Sequence, residues 1–236
     1  MRRSVIGEEE RSALDGVWRE ANRPFEENDF CGPGVGPTFI IERPQSRVFL
    51  SAVHAVKHYR APGHLKDGDA NTGGLVLGVT KFSGVGSAVV LRTTMDRDAN
   101  SSDEHPIKDA LGPLLGPGKI LMDVHGMGNQ HGIDVVIGVG RLGRPDSPLV
   151  ETVRGVFEAH DLRVGDGAAL GLNAERPVTM TSWAQTLGAE AVQVELARSV
   201  RSFRADPNRR RAVGGALLEI ARILDHTNPA REVVSG

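Results

Sequence analysis

The chain has 236 residues, enough for one sizeable core, and is 39% hydrophobic, 25% charged and only 4% aromatic. Its 28 basic and 30 acidic side chains leave a net charge of −2, which excludes a general pull toward nucleic acid or an anionic membrane. No apolar stretch approaches the ~20 residues that cross a bilayer, and a lone cysteine, Cys31, makes no internal disulfide, so a cytoplasmic protein is expected.

The N-terminal segment carries two arginines but no apolar core of a secretory signal. Its acids and apolar spacing predict a surface helix over about 7–21. From residue 38 onward, strand-length apolar runs recur at 38–42, 47–54, 87–94, 119–125, 133–140 and 191–196. Several are nearly continuous in Val, Ile and Leu, as in strands covered on both faces. Many of the 29 glycines lie at the ends of such runs, where strands turn into loops. Between the runs, Leu149, Val150, Val153, Val156 and Phe157 form one helical stripe over 148–160, with Ser147 as N-cap and Pro148 as first helical residue. Val213, Leu217, Ile220 and Leu224 do the same over 211–226. This alternation predicts one α/β domain over 1–236, with a mixed, mostly parallel sheet covered by helices.

Three of the runs end in polar residues that packing alone does not call for. The run 47–54 ends at His54. The run 119–125 carries Asp123 and His125, two apart and therefore on one face. The last carries Gln193 and Glu195 with the same spacing. Ligands of open α/β sheets bind outside the carboxyl ends of strands, where three such ends can meet. Two imidazoles and a carboxylate suit Zn²⁺, which in catalytic sites takes three protein ligands and leaves one position open. His54 and His125 are the ligand candidates and Glu195 the proton shuttle. The same residues also read as hydrogen-bonded structural groups, with Arg198 pairing Glu195, and the sequence leaves both readings open.

The stretch 119–203 resembles the N-formylglutamate amidohydrolase family. The shared order is an apolar strand ending in Asp123 and His125, a Gly-rich loop, an Ile-Asp-Val-Val-Ile-Gly strand, a helix, a Thr-containing loop, and a strand reading Gln193-x-Glu195-Leu196-x-Arg198. The resemblance implies a zinc carboxypeptidase-like fold (phosphorylase/hydrolase-like) and a zinc ion held by two histidines and an acid. His54 is similar to the family's first histidine, His125 to its last, and Glu195 to its base. Carboxypeptidases place an acid three residues after the first histidine, where this chain has Lys57, an ammonium that cannot ligate. Asp67 and Asp69 are the replacements, and Asp69 is preferred because its segment lies over the family's acid-bearing one. Arg97 takes the place of an arginine that binds a substrate carboxylate or steadies the oxyanion. Asp96 beside it departs from the family's Asn-Arg. Arg198, Thr179 and Thr181 are further substrate-binding candidates.

The implied function is zinc-dependent hydrolysis of an amide in a small N-acyl, N-formyl-type amino acid or related carboxylate. The alternatives are a metallo-carboxypeptidase or other deacylase of peptide-like substrates, and a binding protein that keeps the fold without turnover. The arginine run over 198–211 reads as a solvated face. A nucleic-acid role would need stacking aromatics, and only Phe203 is there. No nucleic-acid or membrane partner is expected.

Overall fold

A computed structural model describes residues 6–61, 63–94, 98–129 and 132–227. All six predicted strands are present: β1 (Phe39–Glu42), β2 (Val48–Ala52), β5 (Gly86–Val90), β6 (Ile120–Met127), β7 (Val135–Gly138) and β9 (Glu190–Ala197). With β8 (Val164–Asp166) they form one sheet in the order β1-β5-β2-β6-β9-β7-β8. The four inner strands β5, β2, β6 and β9 run parallel; β1 and β7 join antiparallel. The sheet is therefore mixed and mostly parallel, as expected. A small separate hairpin, β3 (His58–Ala61) with β4 (His64–Lys66), projects after β2.

The near-continuous apolar strands divide their side chains between two cores. Leu50, Met122, Val124, Val192 and Val194 enter the larger one, together with helices α1 (Glu8–Phe30), α2 (Thr72–Ser83), α4 (Pro148–Ala159) and α7 (Pro207–His226). Phe49, Leu121 and Ala191 face the smaller one, formed with α3 (Pro106–Leu111) and α5 (Met180–Thr186). These two short helices cover the amino-terminal half of that face. The carboxyl half, where Ser51, Asp123, His125, Gln193 and Glu195 share the same parity, remains for a crevice.

The predicted α4 stripe is buried, and Ser147 caps the helix by accepting from the Val150 N–H, an interaction worth about 1 kcal/mol. The four predicted apolar positions of α7 are buried as well. The N-terminal helix is longer than expected. It runs past residue 21 and Pro24, its backbone leaves helical geometry at Glu27–Asp29, and it lies on the surface with one stripe, Leu14, Trp18 and Phe25, buried against the core. Helix α2 was not legible: TGGLVLGVTKFS is apolar all round, without a polar face, because it lies between α1, α7 and the sheet. Among the described residues no helix is long and apolar enough to cross a membrane.

Candidate metal centre

His54 follows the end of β2 and is 5% exposed; His125 lies in β6 and is 3% exposed. Their rings meet edge to face with centroids 4.7 Å apart. Asp69 reaches both of them although the β3–β4 hairpin separates it from His54 in sequence. The chain returns so closely that a Cβ on Gly68 would collide with the Val56 backbone. The Asp69 N–H then donates to the His54 carbonyl at 2.6 Å, and its own carbonyl accepts from the Thr72 N–H and hydroxyl at the start of α2. The side chain is thereby fixed with Oδ2 3.0 Å from His125 Nδ1 and 3.6 Å from His54 Nδ1. One donor atom from each of the three residues lies within 4.8 Å of the others.

The far nitrogens are held by a second layer of carboxylates. His54 Nε2 is 2.6 Å from Asp98 Oδ1, and His125 Nε2 is 2.7 Å from Asp123 Oδ2. A carboxylate only accepts, so each Nε2 carries the proton and each Nδ1 is the nitrogen aimed at the centre. Asn100 Nδ2 lies 3.0 Å from His125 Nε2, but that proton already goes to Asp123, so the contact is proximity rather than a second bond. Asp98 is fixed by the Asn100 N–H at 2.8 Å and the Ser101 hydroxyl at 2.9 Å; Asp123 accepts from the Ser51 hydroxyl at 2.6 Å.

Two of the three donor separations fit a divalent ion. Two imidazole nitrogens and a carboxylate oxygen are Zn²⁺ ligands, and a tetrahedral ion with bonds of ~2.0–2.1 Å sets its ligand atoms ~3.3 Å apart. The separations of 3.0 and 3.6 Å bracket that value. The charge pattern agrees. Burial alone would lower the His125 pKa, but Asp123 and Asp69 outweigh it and raise it well above the usual value; His54 is also raised, by Asp69 and Asp98. Asp69 and Asp98 are held far below the usual carboxylate range, their histidine partners overcoming the opposing effect of burial. The carboxylates thus favour positive charge at the two imidazoles, as they would favour a bound cation. A second trio, His54, His58 and Asp98, is also close enough to share an ion. It would use the His54 nitrogen already committed to Asp98. The His58 ring stacks on His54 at 4.0 Å and burial lowers its pKa to about 4, so it is neutral near pH 7.

Glu195 stands opposite His125 in the β6–β9 register. Its Oε1 accepts from Gln193 Nε2 at 3.0 Å, and that amide also donates to the Leu172 carbonyl. Burial raises the Glu195 pKa. Arg198 is not its partner: it is exposed and lines a separate groove. Asp67 is exposed on the return from the hairpin, and Lys57 points away to an ion pair with Asp29. Thr179 lines the crevice, but its hydroxyl accepts from the Ser182 N–H as the N-cap of α5. Thr181 is fully buried with its hydroxyl unpaired, outside the crevice lining. Arg97 and its neighbour Asp96 lie outside the described residues.

The crevice, about 590 Å³, is lined by His54, Asp69, His125, Gln193 and Glu195, with Arg60, Lys66 and Arg176 as its cations. Sequence reasoning did not single out these three. Arg176 donates to the Asn100 carbonyl at 3.0 Å, and Arg60 Nε is 3.6 Å from Asp98. Lys108, 2% exposed, bridges the Ser102 and Val178 carbonyls and so ties together the loops carrying Asn100 and Arg176; burial lowers its pKa to about 8. Asp98 directly follows the Asp96-Arg97 pair read from the sequence, but its position behind His54 depends on loop geometry that spacing does not carry.

No family model and no curated protein matches the chain by sequence. Solved structures do match its fold. An N-formylglutamate amidohydrolase from Ralstonia eutropha JMP134 superposes with a TM-score of 0.56 over 84% of this chain and 99% of its own, at 14% identity. A gene product from Agrobacterium tumefaciens gives 0.57 over 80% and 94%, at 13% identity. A bacteriophage poly-gamma-glutamate hydrolase gives 0.50 over 81% and 90%, at 15% identity. The fold resemblance read from residues 119–203 thus extends over most of the chain.

Proposed function

We propose that the protein is a metal-dependent amide-bond hydrolase acting on a small N-acyl amino acid, or a peptide-like molecule, that bears a carboxylate. The observation that carries this is the convergence of His54 Nδ1, His125 Nδ1 and Asp69 Oδ2 beside the buried Glu195. His54, Asp69 and His125 would hold Zn²⁺, which when bound supplies a Lewis acid and lowers the pKa of water to near neutrality. The remaining chemistry falls to the chain. Glu195 takes the proton of the attacking water on its carboxylate and returns it to the leaving nitrogen, and its raised pKa suits both transfers. Gln193 holds that carboxylate in place from two residues away. Arg176, braced by the Asn100 carbonyl, and Arg60 and Lys66 offer cations to the substrate carboxylate. Arg97 keeps the same proposed role on the strength of the sequence resemblance. Arg198 and Thr181, substrate-binding candidates from the sequence, lie outside the crevice lining. Two of the similar structures are named for glutamate-containing substrates, which accords with a carboxylate-bearing ligand.

The test combines metal analysis with a substrate panel. The zinc-loaded chain is expected to release formate from N-formylglutamate or to cleave a related acyl amide; release of C-terminal residues from peptides instead would make it a carboxypeptidase. Glu195→Gln should retain zinc and lose about 10²- to 10⁴-fold in kcat. A chain that binds no zinc and hydrolyses nothing when zinc is added would be a binding protein.

A further inference from the structure

Arg201 ends α6 (Arg198–Arg201), the single turn that follows β9, and is 7% exposed. A buried guanidinium is costly unless its N–H groups are engaged. Here each of its nitrogens meets a backbone carbonyl on a different segment. Nε donates to the Leu196 carbonyl at 3.1 Å, one Nη donates to that of Ala70, and the other lies 3.5 Å from that of Met127. Burial lowers the Arg201 pKa, while the charges of Asp69 and Glu195 oppose the shift.

Every acceptor stands beside a group of the proposed site. Ala70 follows Asp69, Leu196 follows Glu195, and Met127 lies two residues beyond His125. The Arg201 carbonyl accepts in return from Asn71 Nδ2 at 3.1 Å. The sheet reserves the space. Gly126, next to His125 and paired with Leu196, has no positive φ that would call for glycine, yet a Cβ there would stand 2.5 Å from the guanidinium. The backbone bonds of Asp69 itself reach only His54 and Thr72. Its segment is joined to β6 and β9 through Arg201.

We propose that Arg201 is a positioning residue whose planar fork sets Asp69 in register with His125 and Glu195; this rests on the hydrolase reading above. It lies outside the crevice lining and so acts through those residues rather than on substrate. A lysine would keep the charge but gather its donors on one atom, which cannot reproduce the fork.

The test compares the wild-type chain with Arg201→Lys and, from the opposite side of the contact, Gly126→Ala, each checked for folding by circular dichroism. Should one variant fail to fold, the other carries the test. In the metal-free chains, amide hydrogen exchange over residues 67–72 should accelerate about tenfold while that of α7 stays unchanged. The Kd for zinc should rise about tenfold in either variant. On any amide the wild type cleaves, kcat should fall while KM stays within about twofold. A role in stability alone would leave both zinc affinity and kcat of the folded variants at wild-type values. Both substitutions disturb one contact, so their effects on zinc affinity should not add in the double variant. Unchanged exchange over residues 67–72 in a folded variant overturns the proposal, as does wild-type zinc affinity or full additivity. A wild-type chain that binds no zinc and cleaves no amide removes the hydrolase reading, and the exchange result then decides the tether by itself.

Discussion

At the scale of single residues, each of the two proposed ligand imidazoles is gripped from behind by a carboxylate. Asp98→Asn or Asp123→Asn should leave all three ligands in place yet weaken metal binding by about 10- to 100-fold, as competition against a chelating dye would show. Wild-type affinity in both variants would mean that the loops alone orient the rings. The raised pKa values of His54 and His125 fix the sign of a pH effect. In the metal-free chain these groups favour folding below their ordinary value of ~6.5, and that contribution fades as pH rises through their higher folded values. Metal binding requires the Nδ1 protons to leave and so strengthens over the same range. The gap between metal-loaded and metal-free Tm should therefore widen from pH 6 to 8; a constant gap would place the ion elsewhere. His54, His125 and Glu195 were legible because a polar side chain closing an apolar strand has no packing reason. Arg60, Arg176 and Lys108 were not, because exposed or loop-linked cations carry no periodicity to set them apart.

At the scale of elements, the strands were legible because burial on both faces writes itself as unbroken Val, Ile and Leu. Helix α2 hid for a related reason, since burial all round erases the 3.6-residue stripe. Its glycines record the contact instead. A Cβ on Gly74 would come within 2.8 Å of the Asn22 backbone in α1, and one on Gly73 within 2.6 Å of the Phe25 ring. Gly74→Ala gains ~0.5–1 kcal/mol in helix propensity but overpacks by ~1–3 kcal/mol, so a net loss of about 1–2 kcal/mol is expected in urea unfolding. An unchanged midpoint would show that α1 moves aside at little cost. This contact reaches the site as well. Asn71, which precedes α2, accepts from Trp18 and Asn22 of α1 and donates to the Arg201 carbonyl, two residues from Asp69.

For the whole molecule, the two faces of the sheet are unequally clothed. Helices α1, α2, α4 and α7 close one side, and the short α3 and α5 leave the other open at the carboxyl edge, so the crevice is where the second layer is missing. The proposed metal would join segments around residues 54, 69 and 125. At a free concentration 100-fold above its Kd it should stabilise the fold by about 2.7 kcal/mol, measured as the drop in Tm on adding a chelator. A Tm indifferent to chelation would deny the ion any preference for the folded chain.

The proposed ligand, its backing acid and the proposed proton carrier also share one parity: Asp123 and His125 on β6 stand across from Gln193 and Glu195 on β9. If β6 were threaded one step out of phase, every member of that set on it would swing together into the helix-packed interior, where an unpaired charge is costly. Misfolded copies should thus lack the centre altogether rather than carry a damaged one, and metal stoichiometry doubles as a count of correctly threaded chains.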